Sequence, residues 1–137
     1  MSDLRQKHVV LILAREFASR LATPVFLADA DGQLVFYNEP AEGVLGRAFA
    51  EVGELRADEW GSIFQVEGLD GSPLPLEQMP GGIALLERRP AHANLRIRGL
   101  DGTKHTIFAT AFPLFGRVQE LLGAVIIFWE EPEAPDS

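Results

Sequence analysis

The chain contains no cysteine. That excludes disulfide frameworks, thiolate zinc sites, iron–sulfur clusters, cysteine nucleophiles and any cofactor held through a thioether. Long apolar runs are also missing: none approaches the ~18 residues of a membrane span. The longest early run, Val9 to Ala14, is short for a signal-peptide core and leads into Arg15-Glu16, not a cleavage site. The cytoplasm is therefore the expected compartment. Positive charge is scarce, with two lysines and ten arginines against 20 acidic residues and a formal charge of −8. Such a surface repels phosphate backbones and anionic lipid, so neither nucleic acid nor membrane is expected as a partner. No phosphate-binding glycine loop is present, and Gly81-Gly82 lacks the spacing of one. The arginine bias, with abundant alanine, glycine and leucine, fits a GC-rich bacterial genome.

What is present reads as one domain. A chain of 137 residues buries roughly two thirds of its unfolded surface, enough for a core without staples. Ser2 to Leu21 carries no glycine or proline and reads as a helix capped by Ser2 or Asp3. At ~100° per residue, Val9, Val10, Leu13, Ala14, Phe17 and Leu21 share one face. Leu4, Leu11 and Ala18 form an adjacent strip, so the apolar arc is wider than one contact surface requires. Pro24–Asp29 and Gln33–Asn38 are short β-rich runs around Asp31-Gly32, which supplies the positive φ of a hairpin turn. Asn38 stands where an N-cap belongs, and Gly46 closes the short helix 39–45. Short helical pieces are expected around 48–51 and 58–64. A helix is expected over 76–89, firm from Gly82 and ended by Pro90. Strands follow at His92–Arg98, Lys104–Leu114 and Leu121–Glu130, the first two joined at Asp101-Gly102. Helices segregated in the middle and strands arriving as hairpins define an α+β domain with one antiparallel sheet. Residues 1–21 form an N-terminal capping and dimerisation helix, 22–130 the domain, and 131–137 a frayed, disordered acidic tail.

In this order, Thr23-Pro24-Val25-Phe26-Leu27-Ala28-Asp29, Asp31-Gly32-Gln33-Leu34, Tyr37-Asn38-Glu39-Pro40-Ala41 and Leu45-Gly46 resemble the first hairpin and following helix of the PAS domain family. Asp70-Gly71-Ser72-Pro73-Leu74, with Pro80 and Ala84-Leu85, resembles a pattern of its bacterial sensors. Asp101-Gly102-Thr103, Ala111-Phe112-Pro113-Leu114 and Gly123-Ala124-Val125-Ile126-Ile127-Phe128 resemble its closing strands. The resemblance covers about residues 22–130. It implies a five-stranded antiparallel sheet in order 2-1-5-4-3, with short helices on one face and the N-terminal helix on the other. It also implies a stand-alone sensory or protein-interaction module of bacterial signal transduction.

The departures from the family carry information. Members that attach flavin or a hydroxycinnamoyl chromophore covalently use a cysteine, which is absent here. Haem-binding members usually supply a histidine from the long helix before strand 3, and 76–89 has none. No cofactor is required. Haem is disfavoured, and a noncovalent flavin or another small ligand is left open. The family's last strand often leads into a signalling helix and an output domain. Here Trp129-Glu130-Glu131-Pro132 stands instead, so a readout through a homodimer or a separate signalling protein is expected.

By the family register, Ala93, Leu95, Ile97, His105, Ile107, Ala109, Ala111, Ala124, Ile126 and Phe128 share the inner face. Small residues there either leave a cavity or let helices approach closely. The ligand-binding candidates are His105, Ile107, Ala109, Ala124, Ile126, Phe128, Ile83 and Leu86, suited to a small apolar or aromatic ligand. The bland reading of His105 is a satisfied buried histidine. The outer face carries Thr106, Phe108, Thr110, Phe112, Val125, Ile127 and Trp129. An alternation this apolar needs cover. The bland cover is the first helix alone. The sharper one is a second chain, with Leu4, Leu11, Leu13, Phe17, Phe108, Phe112, Val125, Ile127 and Trp129 at the interface. Asp31 and Asp101 read as turn residues, not catalytic carboxylates. Neither catalysis nor a metal site is expected. The rivals are a small α+β-cone enzyme using His105 and Asp29 in a cavity, and a ligand-free dimerisation module.

Overall fold

A computed structural model describes residues 2–131, with the side chains of residues 2–8 left outside the described residues. Tight turns set the strand order. At the first hairpin, Gly32 has a φ of 83°, and the Asp29 carboxylate accepts from the backbone N–H groups of Asp31 (2.9 Å) and Gln33 (3.0 Å). The Asx turn expected at Asp31 is thus made by Asp29, two residues earlier. At the second, Asp101 accepts from the Thr103 N–H at 3.0 Å, as its Asp-Gly pair foretells.

The elements run α1 (Ser2–Ser19), β1 (Val25–Asp29), β2 (Leu34–Tyr37), α2 (Glu39–Leu45), α3 (Phe49–Val52), α4 (Ala57–Ile63), a 3₁₀ turn (Leu76–Gln78), α5 (Pro80–Glu87), β3 (Ala91–Arg98), β4 (Lys104–Phe115), a second 3₁₀ turn (Arg117–Gln119) and β5 (Leu121–Glu130). All strand pairs are antiparallel, and the sheet order is β2-β1-β5-β4-β3. The expected helix 76–89 is split at Met79, where extended backbone (φ −79°, ψ 147°) separates the 3₁₀ turn from α5. Pro80 explains the break. Its ring disfavours helical backbone in the residue before it, yet is accommodated in the first turn of α5.

Register fixes the two faces. Ala109 pairs with Ala93 and Phe128, and Ala111 with Ala91 and Ile126, so the expected inner-face residues do line up. α2 to α5 cover that face, and the main core joins Phe26, Leu34, Tyr37, Trp60, Phe64, Leu95, Ile107 and Phe128. α1 lies on the other side against β1, β2 and β5. It covers Val25 and Leu27, each 1% exposed. Its contact strip is Leu11, Ala14 and Ala18, whereas Val9, Ile12, Leu13 and Phe17 face solvent. The first expected face is thus split, Val9, Leu13 and Phe17 pointing outward and Val10, Ala14 and Leu21 half-buried, while Leu11 and Ala18 of the adjacent strip join the contact. Ala18 is the reason: its small side chain lets the backbone approach within hydrogen-bond reach of Asn38.

Among the described residues, Asn38 is the buried polar residue of the core. Its Oδ1 accepts from the N–H groups of Val25 (2.9 Å) and Ala41 (3.2 Å). Its Nδ2 donates to the carbonyls of Ala18 and Thr23, both at 2.9 Å. The amide's two donors and both acceptor positions are thereby used. Nearby, the Tyr37 hydroxyl donates to the Arg47 carbonyl at 2.7 Å. Burial first, then the carboxylates of Glu42 and Glu51, push its pKa up to about 12.

Two predictions follow from this corner of the fold. Asn38→Ala leaves several buried backbone groups unpaired, each worth about 1–3 kcal/mol, so urea denaturation is expected to show a loss of about 3 kcal/mol or more. A loss under 1 kcal/mol contradicts the network. Tyr37 is the one tyrosine of the chain, so its absorbance titration is unambiguous. The folded pKa lies above the unfolded value, so its contribution is fully present below pH 10. It is lost as pH rises through about 12. Stability is expected to fall across that window in wild type and to fall less steeply in Tyr37→Phe.

Candidate functional site

The core is not solid throughout. Beneath α4 and the start of α5, a cavity of about 60 Å³ is lined by Phe26, Leu45, Trp60, Phe64, Val66, Met79, Pro80, Gly81, Leu95, Ile97, Ile107, Ala109, Ile126 and Phe128, and exposes no polar surface. Trp60 is held in this wall by its indole N–H, which donates to the Gly32 carbonyl at 2.9 Å. Its ring lies 5.1 Å from that of Phe26. On the outer side of the same wall runs a surface groove of about 660 Å³, lined by α4 residues Ala57, Asp58, Gly61 and Ser62 and by the segment from Gln65 to Met79. Val66 and Met79 belong to both linings.

Of the residues expected to bind a ligand, Ile107, Ala109, Ile126 and Phe128 do line the cavity. Ala124 does not. It is fully buried with Ala28, Ala84, Leu85 and Ala111 in a separate small cluster. There the alanines admit the helix instead of leaving a void. Ile83 is half-buried and outside the cavity lining. Leu86 is 63% exposed, because α5 turns Ala84 and Leu85 to the sheet. Sequence reasoning missed Trp60, Phe64, Val66 and Met79. The spacing of Trp60 and Phe64, four apart on one helical face, is the signal for the first two.

His105 lies on the inner face but outside the cavity. Its Nδ1 is 3.1 Å from Glu130 Oε1, and its buried Nε2 has no hydrogen-bond partner among the described residues. Asp29 is remote from it. Asp29 pairs with Gly123 on β5, whereas His105 meets Glu130 at the other end of that strand. Seven residues of strand span about 23 Å. The His105–Asp29 acid–base pair of the rival enzyme reading is therefore not formed. No group of three or more metal-ligating side chains occurs among the described residues, and none of their helices is long and apolar enough to cross a membrane.

The outer face divides in two. Val125 and Ile127 pair with Leu27 and Val25 at the strands α1 covers, and are half-buried together with Leu11. Beyond them, Phe108 stacks on His92 (5.8 Å) and lies 4.9 Å from Trp129. Trp129 is 43% and Phe112 39% exposed, and Leu13 and Phe17 on α1 exceed 60%. The side chain of Leu4 lies outside the described residues, as does that of His8.

No family matches the chain by sequence, and none of the curated proteins does. Solved structures do match. The PAS domain of a Colwellia psychrerythraea protein is 13% identical, with 89% of this chain and 97% of that one covered at a TM-score of 0.57. The PAS domain of nitrogen regulation protein NR(II) from Vibrio parahaemolyticus is likewise 13% identical, covering 87% and 98% at 0.60. The Rhodobacter sphaeroides LOV protein is 19% identical, covering 96% and 71% at 0.68. The chain has the fold of PAS and LOV domains.

The two alanine environments are separable by substitution. Ala124→Leu overpacks a filled cluster and is expected to cost about 1–3 kcal/mol. Ala109→Val extends into open volume and is expected to cost less than about 1 kcal/mol. Thermal melts in which Ala109→Val loses as much as Ala124→Leu contradict the cavity.

Proposed function

We propose that this chain is a sensory or protein-interaction module of signal transduction that catalyses nothing itself. It acts as a homodimer and takes a small apolar or aromatic ligand. The observation that carries the reading is the divided outer face. α1 covers β1, β2 and part of β5, while Phe112 and Trp129 stay exposed around a half-buried Phe108 on the sheet, and Leu13 and Phe17 point outward from α1. A bare apolar patch of this kind is uncommon on soluble monomers. A two-fold pairing sets each patch against its own copy. Similarity to the PAS domain of a nitrogen regulation protein and to a LOV protein supports a regulatory role.

The internal cavity supports the ligand part. An apolar void is a standing loss of packing contacts, which a fitting apolar group restores. At about 60 Å³ it is smaller than the roughly 150 Å³ of an engineered cavity that takes up benzene. Neither haem nor a flavin ring fits it closed. The reading is therefore of a domain without haem or covalent chromophore, whose cavity must widen to fill. That small volume is also what favours the second reading, a ligand-free dimerisation module.

Sedimentation of purified protein at micromolar concentration is expected to give twice the 15.0 kDa chain mass, with an absorption spectrum lacking a Soret band. Phe17→Glu is expected to shift it to monomer while keeping the fold. Wild-type monomer throughout that range overturns the dimer, and a Soret band overturns the cofactor reading.

A further inference from the structure

We propose that the Met79 side chain is the gate between the internal cavity and the surface groove. The molecule admitted is a slender amphiphile, its apolar part in the cavity and its uncharged or cationic head in the groove. This rests on the ligand-binding reading and specifies its route and chemistry.

The two spaces share one wall, made by Val66 and Met79. Val66 is fixed: its N–H donates to the Gly61 carbonyl (2.9 Å), and its carbonyl accepts from Leu74 (3.1 Å). Its β-branched side chain has little rotamer freedom. The Met79 backbone is equally pinned, donating to Leu76 (3.1 Å) and accepting from Ile83 (2.9 Å). Its side chain is different. It is unbranched, with three rotatable bonds and a thioether that adapts to irregular space. It is 5% exposed and fills the wall between the two spaces. Its methyl group faces Gly61, where an added β-carbon would stand 3.0 Å from Cε. The missing side chain at Gly61 is what leaves the methionine its room. Rotation of Met79 alone joins the 60 Å³ void to the 660 Å³ groove and supplies the volume the closed cavity lacks.

The groove selects the head group. Asp58, Ser62, Gln65 and Glu67 supply its polar lining, and no lysine, arginine or histidine belongs to it. The adjacent Arg56 is already engaged, with Nε 3.4 Å from Asp58 and 3.2 Å from Glu59. A carboxylate or phosphate head meets like charge there, in a chain whose net charge is −8. A hydroxyl or ammonium head finds acceptors. The expected occupant is an alcohol or amine on a short alkyl chain or flat ring, not a fatty acid or a nucleotide.

The test uses three probes of equal chain length and different head: 1-octanol, octylamine and octanoate at neutral pH. The chain has two tryptophans, so Trp129→Phe leaves Trp60, in the cavity wall, as the fluorescent reporter. Octanol and octylamine are expected to change its emission at concentrations about tenfold or more below octanoate, the scale of one unfavourable charge contact near a surface. A gate open about a tenth of the time or less slows admission in proportion. Stopped-flow association is therefore expected to quicken about tenfold or more in Met79→Ala. Met79→Leu, close in volume but branched, is expected to slow association with affinity nearly kept, and it retains the core should the alanine variant fold poorly. Binding with equal association rates in all three proteins overturns the gate and leaves the ligand reading standing. Octanoate binding as well as octanol overturns the head-group choice. No response to any probe in wild type or either variant overturns the ligand reading together with the gate.

Discussion

One buried amide holds the two halves of this domain together. Asn38 joins the carbonyls of Ala18 and Thr23, the first N–H of β1 and the first turn of α2. The end of the N-terminal helix, the start of the sheet and the first helix of the opposite face therefore meet on a single side chain. Its backbone adds a fifth link, with its N–H donating to Val25 at 3.1 Å. A hydrophobic residue of the same size could fill the space but would leave those groups orphaned. The network also sets direction. α1 can reach Asn38 only by turning the Leu11–Ala14–Ala18 strip inward, and that rotation is what turns Val9, Leu13 and Phe17 outward.

The two sheet faces are closed by different means. On the inner face, small residues and large ones alternate by region. Ala28, Ala84, Ala111 and Ala124 bring α5 down onto the strands, and Gly81 continues that approach, where a β-carbon would stand 3.1 Å from Ile126. On the outer face one helix covers half a sheet. Arg15 secures its flank, with the guanidinium 4.7 Å over the Phe36 ring. The uncovered half is polar along β3, with His92, Asn94, Arg96 and Arg98, and mixes Thr106 and Thr110 with aromatic residues on β4. Its aromatic rings are in contact, Phe108 stacked on His92 and tilted against Trp129.

Much of this was legible because it depends on local chemistry. Asn38 as N-cap, Gly46 as helix stop, the Asp-Gly turns and the limits of β5 are matters of backbone conformation and side-chain reach within a few residues. The division into faces follows from period-two alternation in β3, β4 and β5. The site was harder to see. Ala109, Ala111 and Ala124 look alike in sequence, yet the first borders a void and the other two are packed shut. What separates them is where α5 sits along the sheet, which is set by the break at Met79-Pro80. Likewise Leu86 and Leu85 are adjacent and equally apolar, but the phase of α5 buries one and exposes the other. Residues 47–75 carry weak periodicity because their helices are short, so the roof of the cavity went unread.

The void persists because its walls are tied from outside it. Trp60, the largest side chain in the roof, cannot tilt inward without releasing its 2.9 Å hydrogen bond to Gly32, a buried donor that would then lack a partner. Gly32 is itself fixed by the first hairpin, with no room for a β-carbon beside Ala57. Leu95, Ile97 and Ile107 are borne on paired strands whose spacing is set by their ladders. Close packing would otherwise be expected to collapse so small a space. A wall of side chains held by hydrogen bonds and strand pairing, with an unbranched thioether at its thin point, combines a rigid shape with one place that can yield. β5 serves both sides of the sheet, giving Ile126 and Phe128 to the void and Val125, Ile127 and Trp129 to the opposite face. Alternate residues of one strand serve both faces, so a displacement of one set moves the other.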